Sequence, residues 1–61
     1  MNFFAQDTLT STLVEQKTYQ LYENKNWKEL IDFGNMALNK GYDYFYIQMR
    51  VGMAYYENKQ Y

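Results

Sequence analysis

Apolar residues recur at helical spacing in three stretches of this chain, and the clearest stretch runs from Trp27 to about Asn39. Its apolar and small residues follow the i, i+3, i+4, i+7, i+11 spacing that places them on one side of a helix. The stripe consists of Trp27, Leu30, Ile31, Gly34 and Leu38. Gly41 follows shortly afterwards, and glycine readily takes the left-handed conformation that ends many helices. The pattern therefore predicts a helix over residues 27–39 that buries one face.

An earlier helix is predicted over residues 12–23. Its apolar positions are Leu13, Val14, Leu21 and Tyr22. Thr12 and Glu15 have the spacing of a capping box, in which a hydroxyl accepts a hydrogen bond from the backbone of the first turn, and Asp7 or Thr8 is the alternative, earlier cap. Asn24 tolerates a left-handed backbone and is expected to end this helix, and Asn26 is expected to cap the next one.

A third helix is predicted from about Tyr44 to Asn58, with Asp43 as its N-cap. One apolar stripe on it consists of Phe45, Met49, Gly52, Met53 and Tyr56. A second stripe consists of Tyr44, Ile47, Val51 and Tyr55. A helix with two apolar stripes packs against neighbours on two sides, so this helix is expected to be sandwiched. The predicted fold class is all-α, with three antiparallel helices joined by short connections.

A hexapeptide occurs twice in the chain. Residues 22–27 read Tyr-Glu-Asn-Lys-Asn-Trp and residues 56–61 read Tyr-Glu-Asn-Lys-Gln-Tyr, so the first four positions are identical. Each residue of the second copy follows its counterpart in the first copy by the same number of positions, as Tyr56 follows Tyr22. An offset of about 34 residues is the period of a helix–turn–helix repeat. It predicts that the first and third helices occupy equivalent places in consecutive repeats.

In this period and in several residues, the chain resembles the tetratricopeptide-repeat family. The first-helix pattern of that family, W-x2-L-G-x2-Y, is matched by Val51, Gly52 and Tyr55, while Gln48 stands where the family has its aromatic residue. Gly52 is expected to let two helix backbones approach closely, because it has no side chain.

The resemblance extends to the turn and to the second helix of the repeat, with departures. Trp27 and Tyr61 match the aromatic residue of the turn, and Ala37 matches an alanine of the second helix. Leu30 and Gly34 stand where the family prefers alanine and an aromatic residue, and no proline closes the repeat. The resemblance is therefore to a degenerate array.

A domain organisation is implied by this resemblance. Residues 1–11 are expected to form a flexible N-terminal segment, and residues 12–61 are expected to form the repeat region. Repeat one covers about residues 11–44, and the first helix of repeat two covers about residues 45–61. Because such arrays need several repeats for stability, the chain is expected to belong to a longer array or to complete its core against a second copy.

Composition narrows the function. The 61 residues contain no cysteine and no histidine, which removes the commonest nucleophile, general base and transition-metal ligands. We therefore expect no enzyme activity, no cofactor and no metal site. The net charge of −1 gives no basic footprint for nucleic acid, and no apolar run approaches the roughly 20 residues that span a membrane.

Recognition of another protein or peptide is the function that remains. The resemblance implies a groove built by the first helix of each repeat. The predicted partner-binding residues are Tyr19, Tyr22, Tyr46, Met49, Arg50, Met53 and Tyr56. Tyrosine and methionine suit an extended or helical peptide, since these side chains adapt and desolvate well. The alternative for Met49, Met53 and Tyr56 is core packing between helices.

The alternative function is that of a structural, self-associating helical fragment. It would complete its core by homodimerisation or against the rest of a longer envelope protein. The stretch Phe3-Phe4-Ala5-Gln6 resembles the tail of a signal peptide behind an added methionine, which favours export to a bacterial envelope compartment. The absence of cysteine fits the cytoplasm as well as the envelope, so both compartments stay open.

Overall fold

A computed structural model describes residues 9–59 of the chain. Within them lie three α-helices: α1 (Ser11–Glu23), α2 (Trp27–Asn39) and α3 (Phe45–Asn58). No strand occurs among the described residues. The predicted all-α class is confirmed, and each helix begins and ends within one residue of its predicted bounds. The stretch Phe3–Gln6 and the second copy of the turn aromatic, Tyr61, lie outside the described residues.

Two of the predicted N-caps are wrong. Helix α1 is capped by Thr10, whose Oγ1 accepts a hydrogen bond from Leu13 N at 3.1 Å. Thr12 cannot cap, because it already lies inside the first turn. Helix α3 follows Tyr44, and the side chain of Asp43 instead accepts a hydrogen bond from Gln48 Nε2. Asn26 stands at the N-cap position of α2 but makes no side-chain capping bond.

Both connections leave their helix through a left-handed residue. After α1 that residue is Lys25, with φ 59°. Asn24 is the C-cap and ends the helix as predicted, but it keeps φ −88° and is not the left-handed residue. The N–H of Asn26 donates to the Leu21 carbonyl at 2.9 Å, which closes the turn and satisfies a carbonyl at the helix end. Gly41, with φ 99°, ends α2 as predicted.

The core is small and consists of two adjoining clusters. One contains Val14, Ala37, Ile47 and Val51. The other contains Leu21, Leu30, Ile31 and Ala54. Every helix contributes to both clusters, and all three pairs of helices are in contact. Trp27 and Leu38, predicted as part of the α2 stripe, are half-buried at the edges of these clusters.

Gly34, rather than Gly52, is the glycine of close approach. A Cβ built on Gly34 would overlap Val51 Cγ2 on α3. A Cβ on Gly52 would meet nothing within 4 Å among the described residues, and Gly52 is exposed. The prediction for Gly52 is therefore wrong for this structure, because Gly52 lies on the side of α3 that faces away from α1 and α2.

Within residues 9–59, α1 and α2 pack against one side of helix α3 and no described residue covers the opposite side. A neighbour on that side, as expected for a sandwiched helix, stays a prediction. Its residues Ile47, Val51 and Ala54 are buried. The opposite side carries the first predicted stripe, here called the outer face of α3, which consists of Phe45, Met49, Gly52, Met53 and Tyr56. All five are exposed, and Phe45 and Tyr56 retain 75% and 67% of their accessible surface. Core packing does not account for this stripe within the described part of the chain.

Replacing Gly34 by alanine is expected to destabilise the fold by about 1–3 kcal/mol, because the added methyl group would force α2 and α3 apart. The matched control is Gly52→Ala, which adds the same methyl group in open space. It is expected to stabilise α3 by about 0.5–1 kcal/mol. Urea unfolding followed by circular dichroism, at a chain concentration low enough to prevent association, measures both. Equal stability of the two variants would contradict the close approach at Gly34.

A tyrosine and methionine groove between α1 and α3

An open groove of about 200 Å³ lies between α1 and α3. Its lining residues are Tyr19, Tyr22, Met49, Arg50 and Met53. Tyr19 and Tyr22 are three positions apart on α1, and Met49 and Met53 are four apart on α3, so each pair occupies one side of its helix. The structure thus brings together five of the seven predicted partner-binding residues.

The other two predicted residues lie elsewhere. Tyr46 is half-buried beside the groove, where the Arg50 guanidinium lies 4.9 Å from its ring centroid. Tyr56 lies on the outer face of α3 and does not line the groove. Their separation follows from helix geometry, since residues 46 and 56 point to different sides of α3 when residues 47, 51 and 54 point into the core.

Arg50 is the centre of a hydrogen-bond network that joins α3 to α1. Its Nη1 donates to Glu15 Oε1 at 3.0 Å and to the Glu15 carbonyl at 3.1 Å. The same nitrogen donates to Thr18 Oγ1 at 2.9 Å. Nη2 lies 3.4 Å from Glu15 Oε2. The arginine therefore pairs with both carboxylate oxygens, an arrangement that its planar guanidinium allows and a lysine would not.

Thr18 completes this network from inside the core. Its side chain is fully buried, and its hydroxyl donates to the Val14 carbonyl at 2.7 Å while it accepts from Arg50. A buried hydroxyl costs free energy unless it is hydrogen-bonded. The contact from Arg50 therefore satisfies a polar group that α1 turns toward α3. Within residues 9–59 no buried side-chain nitrogen or oxygen lacks a partner.

Tyrosine rings surround the guanidinium of Arg50. The Tyr19 centroid lies 5.3 Å from Cζ of Arg50, within the range of a cation–π contact. On the other helix, Tyr46 stacks on Tyr44 with centroids 5.5 Å apart. Burial raises the pKa of the Tyr46 phenol, and the negative charge of Glu15 raises it further, while Arg50 partly opposes the shift. The phenol of Tyr46 therefore stays neutral beside the ion pair.

Arg50 consequently has a structural role as well as a place in the groove wall. It was predicted to bind a partner, but its charge is already matched by Glu15. The partnership of Glu15 with Arg50 was not predicted. The spacing of the repeated hexapeptide could have indicated this contact. Glu15 and Met49 have the same offset as Tyr22 and Tyr56, so Glu15 on α1 is expected beside residues 49 and 50 on α3.

The groove continues past the ends of α1 and α3 into a more polar depression of about 360 Å³. Tyr22 and Met53 line both, so the two form one continuous surface. The extension is lined further by Glu23, Lys25, Trp27 and Glu57. Trp27 meets Tyr22 edge to face, with centroids 5.9 Å apart, which fixes the orientation of both rings. The combined surface is apolar at one end and charged at the other.

Substitution of Arg50 by lysine is expected to destabilise the fold by about 1–2 kcal/mol, because a lysine keeps the charge but loses the paired contacts with Glu15 and the hydrogen bond to Thr18. A double-mutant cycle with Glu15→Gln isolates the coupling of the two side chains. The Glu15 side chain is 44% exposed, so solvent screens part of that coupling.

The exposed pair Lys28 and Asp32 serves as the control for this cycle. Its atoms are 3.8 Å apart, with the side chains 83% and 70% exposed. A coupling below about 0.5 kcal/mol is expected there. Urea unfolding measures both cycles. A coupling between Arg50 and Glu15 no larger than that of the control pair would contradict a structural role for Arg50.

Residues 9–59 hold no group of three or more acidic side chains close enough to bind a metal ion. None of the three helices in the described part of the chain is long and apolar enough to cross a membrane. Comparison of the chain with protein-family models, with curated proteins and with solved structures found no match. The function proposed for this protein therefore depends on its own residues and geometry.

Proposed function

We propose that this protein is a non-catalytic protein-interaction module of tetratricopeptide-like architecture, which holds an apolar segment of a partner in the groove between α1 and α3. The groove wall of paired tyrosine and methionine side chains is the observation that carries the proposal. Tyrosine presents a large contact area at low cost in ordering, and methionine adapts its shape to different ligands.

Equivalent features one repeat period apart support the repeat architecture. Helices α1 and α3 begin at Ser11 and Phe45, which have the same offset as the two copies of the hexapeptide. Lys25 and Lys59 share that offset, and both have a left-handed backbone, with φ 59° and 58°. Left-handed lysine is uncommon, so its recurrence at matched positions of the repeated hexapeptide favours two copies of one structural unit.

Contacts between the helices support the chain directions of such an array. Arg50 contacts Glu15, and Met53, one turn further along α3, shares the groove with Tyr22, further along α1. These contacts advance together, as in helices that run the same way. Across α2 and α3 the order reverses, since Asn35 donates to the Tyr55 hydroxyl while Ala37, later in α2, clusters with Ile47, earlier in α3. This reversal fits an antiparallel pair.

Charge in the groove determines which segment suits it. Among residues 9–59, Arg50 is the only charged residue that lines the wall, and Glu15 already pairs with it. An acidic peptide or a terminal carboxylate would have to compete with Glu15, at a cost in desolvation that an apolar segment does not incur. The groove therefore favours leucine, methionine and aromatic side chains in an extended or helical segment.

The methionine methyl groups provide the test. A displayed library of random peptides is selected against the chain, and the selected peptides are titrated into protein labelled at methionine methyl carbons. We expect them to be rich in apolar residues and to shift the signals of Met49 and Met53. Met36, half-buried on α2 and away from the groove, is the internal control and should not shift.

Matched substitutions complete this experiment. Tyr19→Ser removes a tyrosine that lines the groove and is expected to weaken peptide binding by about tenfold or more. Tyr55→Ser removes a tyrosine of similar exposure that faces Asn35 and should leave affinity unchanged. Peptides that shift Met36 rather than Met49 and Met53, or binding equally sensitive to both tyrosines, would contradict the proposed groove.

A further inference from the structure

The outer face of α3 is a second apolar surface. It shares Met49 and Met53 with the groove, but its other three residues do not line the groove. Phe45 and Tyr56 stand 75% and 67% exposed at its two ends, with Met49 56% exposed and Met53 40% exposed between them. All five of its residues are uncharged. An exposed apolar stripe of this extent on a small chain indicates a surface that another helix covers.

Four of the five residues on this face have a spacing that is the same in both chain directions, and Met53 stands outside this pattern. Phe45, Met49, Gly52 and Tyr56 are separated by steps of four, three and four positions. When such a helix lies antiparallel to a copy of itself, Phe45 of each copy comes opposite Tyr56 of the other. Met49 of each copy comes opposite Gly52 of the other. A two-fold symmetric contact requires this kind of self-complementarity, in which each residue pair occurs twice.

We propose that two copies of this chain associate through the outer faces of their α3 helices, packed antiparallel about a two-fold axis between Met49 and Gly52. The open space over Gly52 receives the Met49 side chain of the other copy, since no atom of the described residues lies within 4 Å of a Cβ built there. A large residue opposite a glycine lets two helices interlock without a clash. Aromatic pairs of Phe45 and Tyr56 close the two ends.

The available area is sufficient for such a dimer. A phenylalanine or tyrosine side chain covers about 200 Å² when fully buried, so the exposed parts of the two aromatic and two methionine side chains amount to about 500 Å² per copy. Two copies would bury about 1,000 Å² in total, which is the lower limit for a specific interface. This area is an upper bound, so the dimer is expected to be a weak one that dissociates on dilution.

Two observations favour a second copy as the partner of the outer face of α3: the charges at the two ends of this face, and the small core of the described residues. In the antiparallel arrangement, the exposed Asp43 of one copy lies near the exposed Lys59 of the other, so opposite charges meet at both ends. Among residues 9–59, eight apolar residues are buried, two of them alanine, and the chain has no cysteine for a disulfide. Small domains of this kind commonly gain stability from oligomerisation.

Pairing of complementary variants tests this geometry. The solution mass of the 61-residue chain is measured by light scattering over a range of concentrations, with helicity followed by circular dichroism. We expect the native chain to dimerise, and Phe45→Lys and Tyr56→Glu each to weaken the dimer by at least about tenfold. Mixed together, the two variants should form a heterodimer, because the new lysine lies opposite the new glutamate. Leu13→Lys, at an exposed apolar position on α1, is the control and should leave the dimer intact.

Gly52→Leu gives an independent measurement. It fills the space that Met49 of the second copy occupies, so the dimer should weaken, whereas the helicity of the single chain should not fall. A chain that stays monomeric at all concentrations, folded or unfolded, would overturn the proposal. So would a dimer that tolerates these substitutions, or variants that do not pair when mixed, which would assign the face to a different partner. Phe45, Gly52 and Tyr56 do not line the groove, whereas Met49 and Met53 belong to both surfaces. Peptide titrations at chain concentrations below those that give the dimer therefore test the groove separately from the dimer.

Discussion

The contact of Gly34 with Val51 sets the position of α3, and most other features of the structure follow from that position. Without a side chain at residue 34, Val51 reaches the backbone of α2. This contact turns residues 47, 51 and 54 toward the core. Because side chains follow each other at about 100° around a helix, the same rotation turns Tyr46 and Arg50 toward α1 and leaves Phe45, Gly52 and Tyr56 facing away. Helix α3 therefore has a core side, a groove side and an outer side, and the close approach at Gly34 determines which residues lie on each.

Arg50 gives the groove side its character. A lone arginine beside two exposed methionines would attract acidic ligands, but the carboxylate of Glu15 lies at 3.0 Å and removes that preference. The guanidinium also contacts the rings of Tyr19 and Tyr46, so its flat surface extends an aromatic wall. Under the proposed function, a ligand of this groove would be selected by shape and apolar area more than by charge. The same contacts join α1 to α3 directly, which matters in a chain whose core is too small to position the helices by burial alone.

Helix positions were predictable from the sequence, and the details of their ends and contacts were not. Periodicity gave all three helices to within one residue, because apolar spacing and stop signals agreed at Gly41 and near Asn24. Thr10 and Thr12 both have a hydroxyl that could cap α1, however. Which of them is the N-cap depends on where the backbone hydrogen bonds of the helix begin. Gly34 and Gly52 present the same ambiguity, since either glycine would allow a second helix to approach closely. Only the packing of the helices shows that the close approach is at Gly34. Five of the seven residues predicted from the family resemblance line the groove. The pairing of Glu15 with Arg50 was not predicted, because it depends on the distance between two helices.

The two surfaces of α3 are physically coupled, because Met49 and Met53 belong to both. A second copy on the outer face would order these flexible side chains before a peptide reaches the groove. If the rotamers fixed in the dimer also suit the peptide, the peptide no longer has to order these side chains, and dimerisation and peptide binding are cooperative. If those rotamers block the groove, dimerisation and peptide binding compete. Linkage makes the effect reciprocal, so a peptide that strengthens the dimer must also bind the dimer more tightly. Because Met49 and Met53 border both surfaces, the proposed peptide binding and the proposed self-association are expected to influence each other.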